Sequence, residues 1–368
     1  MTPRSIAAAV APTYWRNGEA VDITAELIRS LREDRSPEPT VTVIGDLGYD
    51  YIYTSPPLEG GKEVIIRNFT RTIAGAAGYF ACGLARLGAK VCFLTELGDD
   101  PDGKQLYAEI SGRGVDPKGI RMLENTRSYF TLIFADAAES SPRQVATYLG
   151  PLGEMSVRDL DYKSFVTGSD LVYSCNYFQL LRIRTEIEEV FSHTRNLGKL
   201  TAYDANAGDG WEDPQNLELL RKRIYPRTDV VFLNETEARS LTGEQDPLET
   251  VMKASPSSKI VVIKRGSAGV VLRKGKRVYR CPAFTLPKPV QDTVGAGDSF
   301  QAAFLYFYLK GLPLLHSAIL GTANAAATVQ HPGGVLGQQN RAGLASMLEQ
   351  YSVLISRHDQ VEIISKER

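Results

Sequence analysis

The sequence predicts an α/β fold: a central, mostly parallel β-sheet flanked by helices, with a small second β-sheet beside it. From Val41 onward, short runs rich in β-branched residues alternate with amphipathic stretches of helix length. The runs are Val41–Ile44, Lys90–Thr95, Asp170–Cys175, Lys199–Asp204, Asp229–Leu233 and Lys259–Lys264. Strands separated by helices imply crossover connections and a parallel sheet covered on both faces. Two stretches break this alternation, Tyr51–Thr72 and Ser128–Leu149. They interleave polar and apolar residues, as in Tyr129-Phe130-Thr131-Leu132-Ile133-Phe134, and lack helical periodicity. Their natural place is a small separate sheet, a flap over a cleft at the carboxyl edge of the main one.

The flanks are read in the same way. Residues 1–40 form an extension of unassigned role, with a short helix over Ile23–Leu31 and a linker at Ser36-Pro37-Glu38-Pro39. Residues 41–340 form the α/β domain, with lid segments near 51–72 and 128–149. Residues 341–368 are expected as a surface helix over Arg341–Ile355 followed by a polar tail. No repeat at a solenoid period is visible.

Composition narrows the function classes. The chain has 368 residues and a formal net charge of −1, which gives no reason to expect nucleic acid or an anionic membrane as a partner. Arg221-Lys222-Arg223 is a short basic run on a predicted helix and reads as a solvated face. Cys82, Cys92, Cys175 and Cys281 form no C-x-x-C pair, so reduced thiols in a cytoplasmic protein are expected. No apolar run approaches the roughly 20 residues of a membrane span. Met1–Val10 is too short a stretch for a signal peptide.

The strongest chemical signal is Asp292-Thr293-Val294-Gly295-Ala296-Gly297-Asp298-Ser299-Phe300, followed by the helical composition of Gln301–Leu309. Small residues at Gly295, Ala296 and Gly297 let backbone N–H groups approach a ligand. Where such a turn opens a helix, those groups and the positive end of the helix dipole form an anion site. A carboxylate there repels an anion unless its task is to take a proton from a hydroxyl that attacks it. Phosphoryl transfer has that requirement. The alternative is a tight turn with Asp298 as a helix cap.

Asp292–Phe300 resembles the D-T-x-G-A-G-D-x-F signature of the ribokinase/PfkB family of carbohydrate kinases, matching every fixed position. The resemblance covers roughly Val41–Gly337. It implies a ribokinase-like fold, ATP and Mg²⁺ as cofactors, and phosphorylation of a hydroxyl on a sugar or sugar-like small molecule. It further implies Asp298 as catalytic base and Gly295, Ala296 and Gly297 as anion hole. Asn234-Glu235-Thr236-Glu237 matches the family's N-x-x-E element, which implies a metal role for Glu237 and Asn234, with Asn234 also near the nucleotide. The same residues form an ordinary capping box, and both readings can hold. Lys264-Arg265-Gly266-Ser267-Ala268-Gly269 resembles the K-x-G-x-x-G loop beside the nucleotide, implying Lys264, Gly266 and Gly269. A hairpin turn with a solvated lysine is the alternative. Asn324, with Ala325–Ala327 and His331–Gly334, resembles the helix and loop that hold adenine, although close packing explains an alanine-rich helix equally.

On the acceptor side, the resemblance implies Asp50, Gly75, Tyr79 and Asp292 as substrate-binding. Ala74–Ala81 departs from the family's first signature twice. Ala74 replaces a glycine, and Tyr79 stands where a sugar-contacting Asn is usual. Tyr79 either faces the acceptor or points into the core beside Phe80. Asp204-Ala205-Asn206 with Trp211 resembles a D-x-N…W stretch, with Gly208 where an Arg is often seen, and Arg143 matches a lid position loosely. The departures cluster on the acceptor side, which implies an altered acceptor such as an inositol, a deoxy sugar or a nucleoside. A ligand-binding relative without turnover is a further alternative. Family relatives also dimerise through the lid sheet, so a homodimer is compatible with the resemblance. Gly98–Gln105 mimics P-loop spacing but carries Gln105 in place of the metal-binding hydroxyl and three Asp residues. A dinucleotide fingerprint after the first strand, metal-spaced His residues and a G-x-S-x-G elbow are all absent from the sequence.

Overall fold

Thr40-Val41-Thr42-Val43-Ile44 is a run of β-branched residues, suited to a strand buried on both faces. In the computed structural model of the protein it lies inside a ten-stranded sheet. The structure describes residues 20–55, 63, 65, 66, 68–136, 144–206, 208, 210–356 and 360–366. Parts of both flap segments, and Arg143, lie outside the described residues.

The chain begins with β1 (Val21–Asp22) and α1 (Thr24–Glu33), then β2 (Thr40–Ile44), β3 (Gly48–Ser55), β4 (Asn68–Ala74), α2 (Ala76–Leu87) and β5 (Lys90–Gly98). Next come α3 (Pro101–Gly112), β6 (Val115–Asp116), β7 (Ile120–Leu123), β8 (Phe130–Asp136), β9 (Gln144–Tyr148), α4 (Tyr162–Thr167), β10 (Leu171–Cys175), α5 (Ile183–Asn196) and β11 (Leu200–Asp204). The remainder is α6 (Pro214–Leu219), β12 (Val230–Asn234), α7 (Glu235–Thr242), α8 (Pro247–Lys253), β13 (Ile260–Lys264), β14 (Val270–Lys274), β15 (Arg277–Cys281), α9 (Ala296–Leu309), α10 (Leu314–Thr328), α11 (Arg341–Leu348), β16 (Tyr351–Ile355) and β17 (Val361–Ser365).

The main sheet has the order β15-β14-β13-β12-β11-β10-β2-β5-β6, with β7 also on β5. Pairing is parallel from β5 through β13, and β14 and β15 are antiparallel additions. Alternate strand residues feed two cores. Val41, Val43, Tyr173, Phe232 and Val262 pack with α2, α9 and α10, while Val172, Val231, Leu233 and Ile263 pack with α5, α7 and α8. The six expected strands are all present.

The flap segments form the expected second sheet, in the order β4-β3-β8-β9. Its outer pairs are antiparallel and its central pair, β3 with β8, is parallel. Register places Asp50 opposite Thr72 on one side and Thr131 on the other.

The C-terminal expectation needs correction. The helix from Arg341 ends at Leu348, and Tyr351–Ile355 is a strand whose buried and half-buried residues alternate, as a period of two requires. The tail is also not simply polar chain, because Val361–Ser365 pairs with β16, and β1 pairs on the other side. Helix α1 packs this small sheet onto the body through Leu27 and Leu31, both buried in the core shared with α10 and α11.

Arg341 fastens the two ends of the chain together. Its Nε donates to the Leu31 carbonyl and its Nη2 to the Asp34 carbonyl, each at 2.9 Å. These acceptors lie at the end of α1, where helical carbonyls lack intrahelical partners. Arg341→Ala is expected to destabilise the protein by about 1–3 kcal/mol, with Lys restoring part of the loss. Urea unfolding checks this, and an unchanged midpoint would show that water replaces the arginine without penalty.

Candidate active site

Strands β11, β12 and β13 run parallel and end at the same sheet edge in Asp204, Asn234 and Lys264. Parallel pairing therefore gathers three residues distant in sequence at the edge where α/β sheets bind ligands. Lys264 Nζ lies 2.5 Å from Asp204 Oδ2. Gln301 of α9 donates its amide to the same carboxylate, and its Oε1 accepts from the Tyr173 phenol at 2.8 Å. Asp204 is completely buried, and partners of this kind make a charge tolerable there.

The loop into α9 is held by Asp292. Its Oδ1 accepts from the Val294 amide at 3.0 Å and its Oδ2 from the Gly333 amide at 3.1 Å. Gly295 then adopts φ +70°, and a Cβ there would come within 2.5 Å of Gly334 Cα. Only glycine meets both conditions. Helix α9 begins at Ala296, so Gly297 and Asp298 belong to the first turn, whose N–H groups find no acceptor inside the helix. At Gly297 an added Cβ would sit 3.2 Å from Lys264 Nζ, so the ammonium lies beside the helix start.

Asp298 keeps part of its surface open while protein fills most of the volume around it. Burial pushes its pKa up to about 7, Asp204 and Asp46 add to the rise, and Lys264 opposes it. Burial alone would lower the pKa of Lys264. The negative charges of Asp204, Glu237 and Asp298 outweigh it, so the ammonium is held charged.

Asn234 and Glu237 form the reciprocal cap of α7. Glu237 Oε2 accepts from the Asn234 amide at 2.8 Å, and Asn234 Oδ1 accepts from the Glu237 amide at 2.9 Å. The Asn234 side chain also donates to Glu237 Oε1 at 2.5 Å. Burial pushes Glu237 up to about 8, with Asp204 adding and Lys264 opposing. Three carboxylates facing one ammonium suit an added cation. No group of three acidic, His or Cys side chains capable of holding a metal occurs among the described residues. Oxygen donors that leave several positions to water and phosphate fit Mg²⁺, which keeps much of its hydration.

On the acceptor side, Asp50 and Tyr79 meet: the phenol donates to Asp50 Oδ2 at 2.5 Å. The ring lies in the core, as one of the two expected orientations has it, and the hydroxyl ends on the Asp50 carboxylate. Burial raises Asp50 to about 6, the Tyr79 hydrogen bond opposes this, and Asp46 and Asp292 reinforce it. Gly75 caps α2 at φ +93°, where a Cβ would strike the Asp46 carbonyl oxygen at 2.4 Å.

Several participants escaped sequence reasoning. Asp46 accepts from the Ala76 and Ala77 amides at 3.0 and 3.1 Å and from the Asn176 side chain at 2.9 Å. Asn176, at φ +63°, follows β10 with no motif around it. Gln301 lies three residues after Asp298, on the same helix face, and that spacing could have revealed it. Thr131 was visible only as part of an alternating run.

Other expected contacts are not brought to the site. Asn324 has no exposed surface. It donates to the Ser299 carbonyl at 2.8 Å and accepts from the Gln339 amide at 2.8 Å, so it ties α10 to α9 and cannot touch a cofactor in this conformation. Gly269 is buried against β15, whereas Gly266 is exposed in the preceding turn. Both Asp292 oxygens accept from backbone amides, so it supports the loop while its charge acts on Asp50. Trp211 packs against Phe178 at a tilt, with ring centroids 5.3 Å apart.

A sequence profile of pfkB family carbohydrate kinases matches residues 38–341. The chain is 28% identical over 301 residues to 2-dehydro-3-deoxygluconokinase of Bacillus subtilis, covering 77% of this chain and 88% of that protein. Ribokinase of Arabidopsis thaliana, complexed with ribose and ATP, superposes with TM-score 0.73 at 22% identity, over 85% of this chain and 99% of that one. A protein described as ribokinase II from E. coli, in complex with ATP and Mg²⁺, gives TM-score 0.75 at 18% identity, over 84% and 99%. These two structures establish the fold as ribokinase-like.

The raised pKa of Asp298 has a consequence for stability. Its carboxyl ionises near pH 4 in the unfolded chain and near pH 7 in the folded one, so the folded state is increasingly penalised as pH rises between those values. Asp298→Asn removes that penalty. The variant is expected to melt higher than wild type, by a margin that grows from about pH 5 to about pH 7 and is flat above. Thermal melts across that range check it. A constant difference would place the carboxyl in an unperturbed environment.

Proposed function

The chain belongs to the pfkB family of carbohydrate kinases and is an ATP-dependent sugar kinase, and we propose that Asp298 is the base that takes the proton from the attacking sugar hydroxyl. The observation that carries this reading is the placement of Asp298 in the first turn of α9. It lies beside first-turn amides that find no acceptor inside the helix and within the field of Lys264, with a pKa raised to about 7. A base is most effective when its pKa is near the working pH.

The remaining roles follow from position. The amides of Gly295, Ala296 and Gly297 receive the oxygens of the transferring phosphoryl group, with the helix dipole behind them. Lys264 adds a positive charge on the same side, and the exposed turn at Gly266 flanks the nucleotide. Asp50, with Gly75 and Tyr79 around it, orients the acceptor so that one hydroxyl reaches Asp298. Glu237 and Asn234 would hold Mg²⁺, through water where their mutual cap persists. When bound, the ion neutralises charge on the β- and γ-phosphates. The second sheet acts as a lid whose closure excludes water from the transferring group.

The wider setting is also a proposal. All four cysteines are unpaired, which fits a reducing cytoplasm. No helix among the described residues is long and apolar enough to cross a membrane. The outer face of the lid sheet exposes Phe69 and Tyr148, a surface suited to pairing two copies into a homodimer.

Asp298→Asn is expected to lower turnover by roughly 10²–10⁴-fold while ATP binding changes little. In wild type, kcat/KM should rise with pH and level off above about pH 7, because the base must be ionised. Near-normal turnover in the variant would remove Asp298 from the role. Activity should also require Mg²⁺ or Mn²⁺, and Glu237→Gln should raise the metal concentration needed. Full activity in excess EDTA would contradict the metal assignment.

A further inference from the structure

The acceptor end of the site carries two features that restrict the sugar beyond the kinase reading on which this inference rests. The first is that Asp50 is already partly satisfied from within. The Tyr79 phenol donates to its Oδ2 at 2.5 Å, and Thr131 lies directly across the sheet from it, its own hydroxyl donating to the Tyr129 phenol at 3.1 Å. A carboxylate offers about four acceptor positions. Asp50 is only 6% exposed, so the part left open admits one incoming hydroxyl. Register fixes this arrangement, because Asp50 pairs with Thr131 across β3 and β8 while α2 brings Tyr79 from the other side.

The second feature is the sign of the surrounding charge. Asp46 and Asp292 are the charges that act most strongly on Asp50, and Asp298 and Asp46 influence one another across the same space. Lys264 is closed onto Asp204. Arg71 of the lid lies over the Tyr49 ring, 4.4 Å from its centroid, and reaches Asp102 of α3, on the side of β3 opposite Asp50. A carboxylate on the acceptor would thus enter a wall of like charge.

We propose that the acceptor is an uncharged sugar or polyol that presents one hydroxyl to Asp50 and lacks the neighbouring hydroxyl whose place the Tyr79 phenol takes. An uncharged deoxy sugar meets both conditions. A 2-dehydro-3-deoxy sugar acid, the class that the name of the Bacillus subtilis relative describes, meets the second condition and fails the first. The Tyr79 hydroxyl acts as a built-in substitute for the missing hydroxyl, so the site discriminates against the fuller sugar by leaving its extra group without an acceptor.

Binding is measured calorimetrically without ATP, for D-fructose, D-glucose, singly deoxygenated hexoses, D-gluconate and 2-dehydro-3-deoxy-D-gluconate. ADP formation is measured separately on the same panel. Wild type is expected to bind at least one uncharged deoxy sugar roughly 100-fold or more tighter than either acid, since like-charge juxtaposition costs several kcal/mol. Tyr79→Phe should shift preference about tenfold from that deoxy sugar towards its fully hydroxylated parent. Asp50→Asn, which keeps the shape, should narrow the gap between neutral and acidic ligands. An acid bound as tightly as the best neutral sugar overturns the charge argument, as does binding of neither class. An unchanged ranking in a Tyr79→Phe protein that melts like wild type overturns the role of the phenol. Tight binding of a neutral deoxy sugar without ADP formation would support this inference and count against the kinase reading instead.

Discussion

Much of the site depends on the contact between Lys264 and Asp204 at the ends of β13 and β11. Neither charge would be tolerable alone where it lies, and together they leave a net negative field once Glu237 and Asp298 are included. Gln301 extends the contact to α9 and Tyr173 extends it to β10. The position of α9 relative to the sheet is therefore set by buried polar contacts as well as by packing. Such contacts have few alternative partners, and that restricts α9 to one placement.

Three helices begin at this edge, and each treats an acid differently. Asp46 lies before α2 and satisfies its carboxylate with the amides of Ala76 and Ala77 and the side chain of Asn176. Glu237 closes a reciprocal cap on α7 with Asn234. Asp298 sits in the first turn of α9, its ionisation opposed by burial and by neighbouring acids. The first two stabilise helix starts in the ordinary way. The third forgoes that stability, and the chemistry of proton transfer gives a reason for it. A carboxylate at a helix start serves structure or reaction according to what surrounds it.

The phosphate side was legible in the sequence because its parts are contiguous. Gly295, Ala296, Gly297 and Asp298 form one local turn, and the positive φ that favours glycine at 295 belongs to that turn, although the close approach of Gly334 does not. The main sheet was legible for a similar reason, since buried parallel strands leave dense apolar runs. The contact between Asp204 and Gln301 comes only from tertiary pairing, the two being 97 positions apart. Asn324 was expected beside the nucleotide from its place in a motif, whereas its side chain here is taken up by the Ser299 carbonyl and the Gln339 amide. The C-terminal strands were hidden because β16 gains its order from β1, more than 300 residues upstream, and no local pattern records that pairing.

The acceptor side depends on register, which in a sheet is an all-or-none property: a slip of one residue would exchange its two faces. In β3 the inner face carries Asp50 and the outer face carries Tyr51 and Tyr53. Tyr53 stacks on Phe69 of β4 and on Phe134 of β8, with centroids 5.7 and 5.3 Å apart, and Phe130 stacks on Tyr148 of β9 at 5.3 Å. These cross-strand aromatic pairs hold all four strands in one alignment. The Tyr51 hydroxyl also donates to Asp102 of α3 at 2.6 Å, which fixes the sheet against the body. The outer aromatic face thus determines which side chains face inward. The meeting of Asp50, Thr131 and Tyr79 is a consequence of stacking on the opposite side of the same strands.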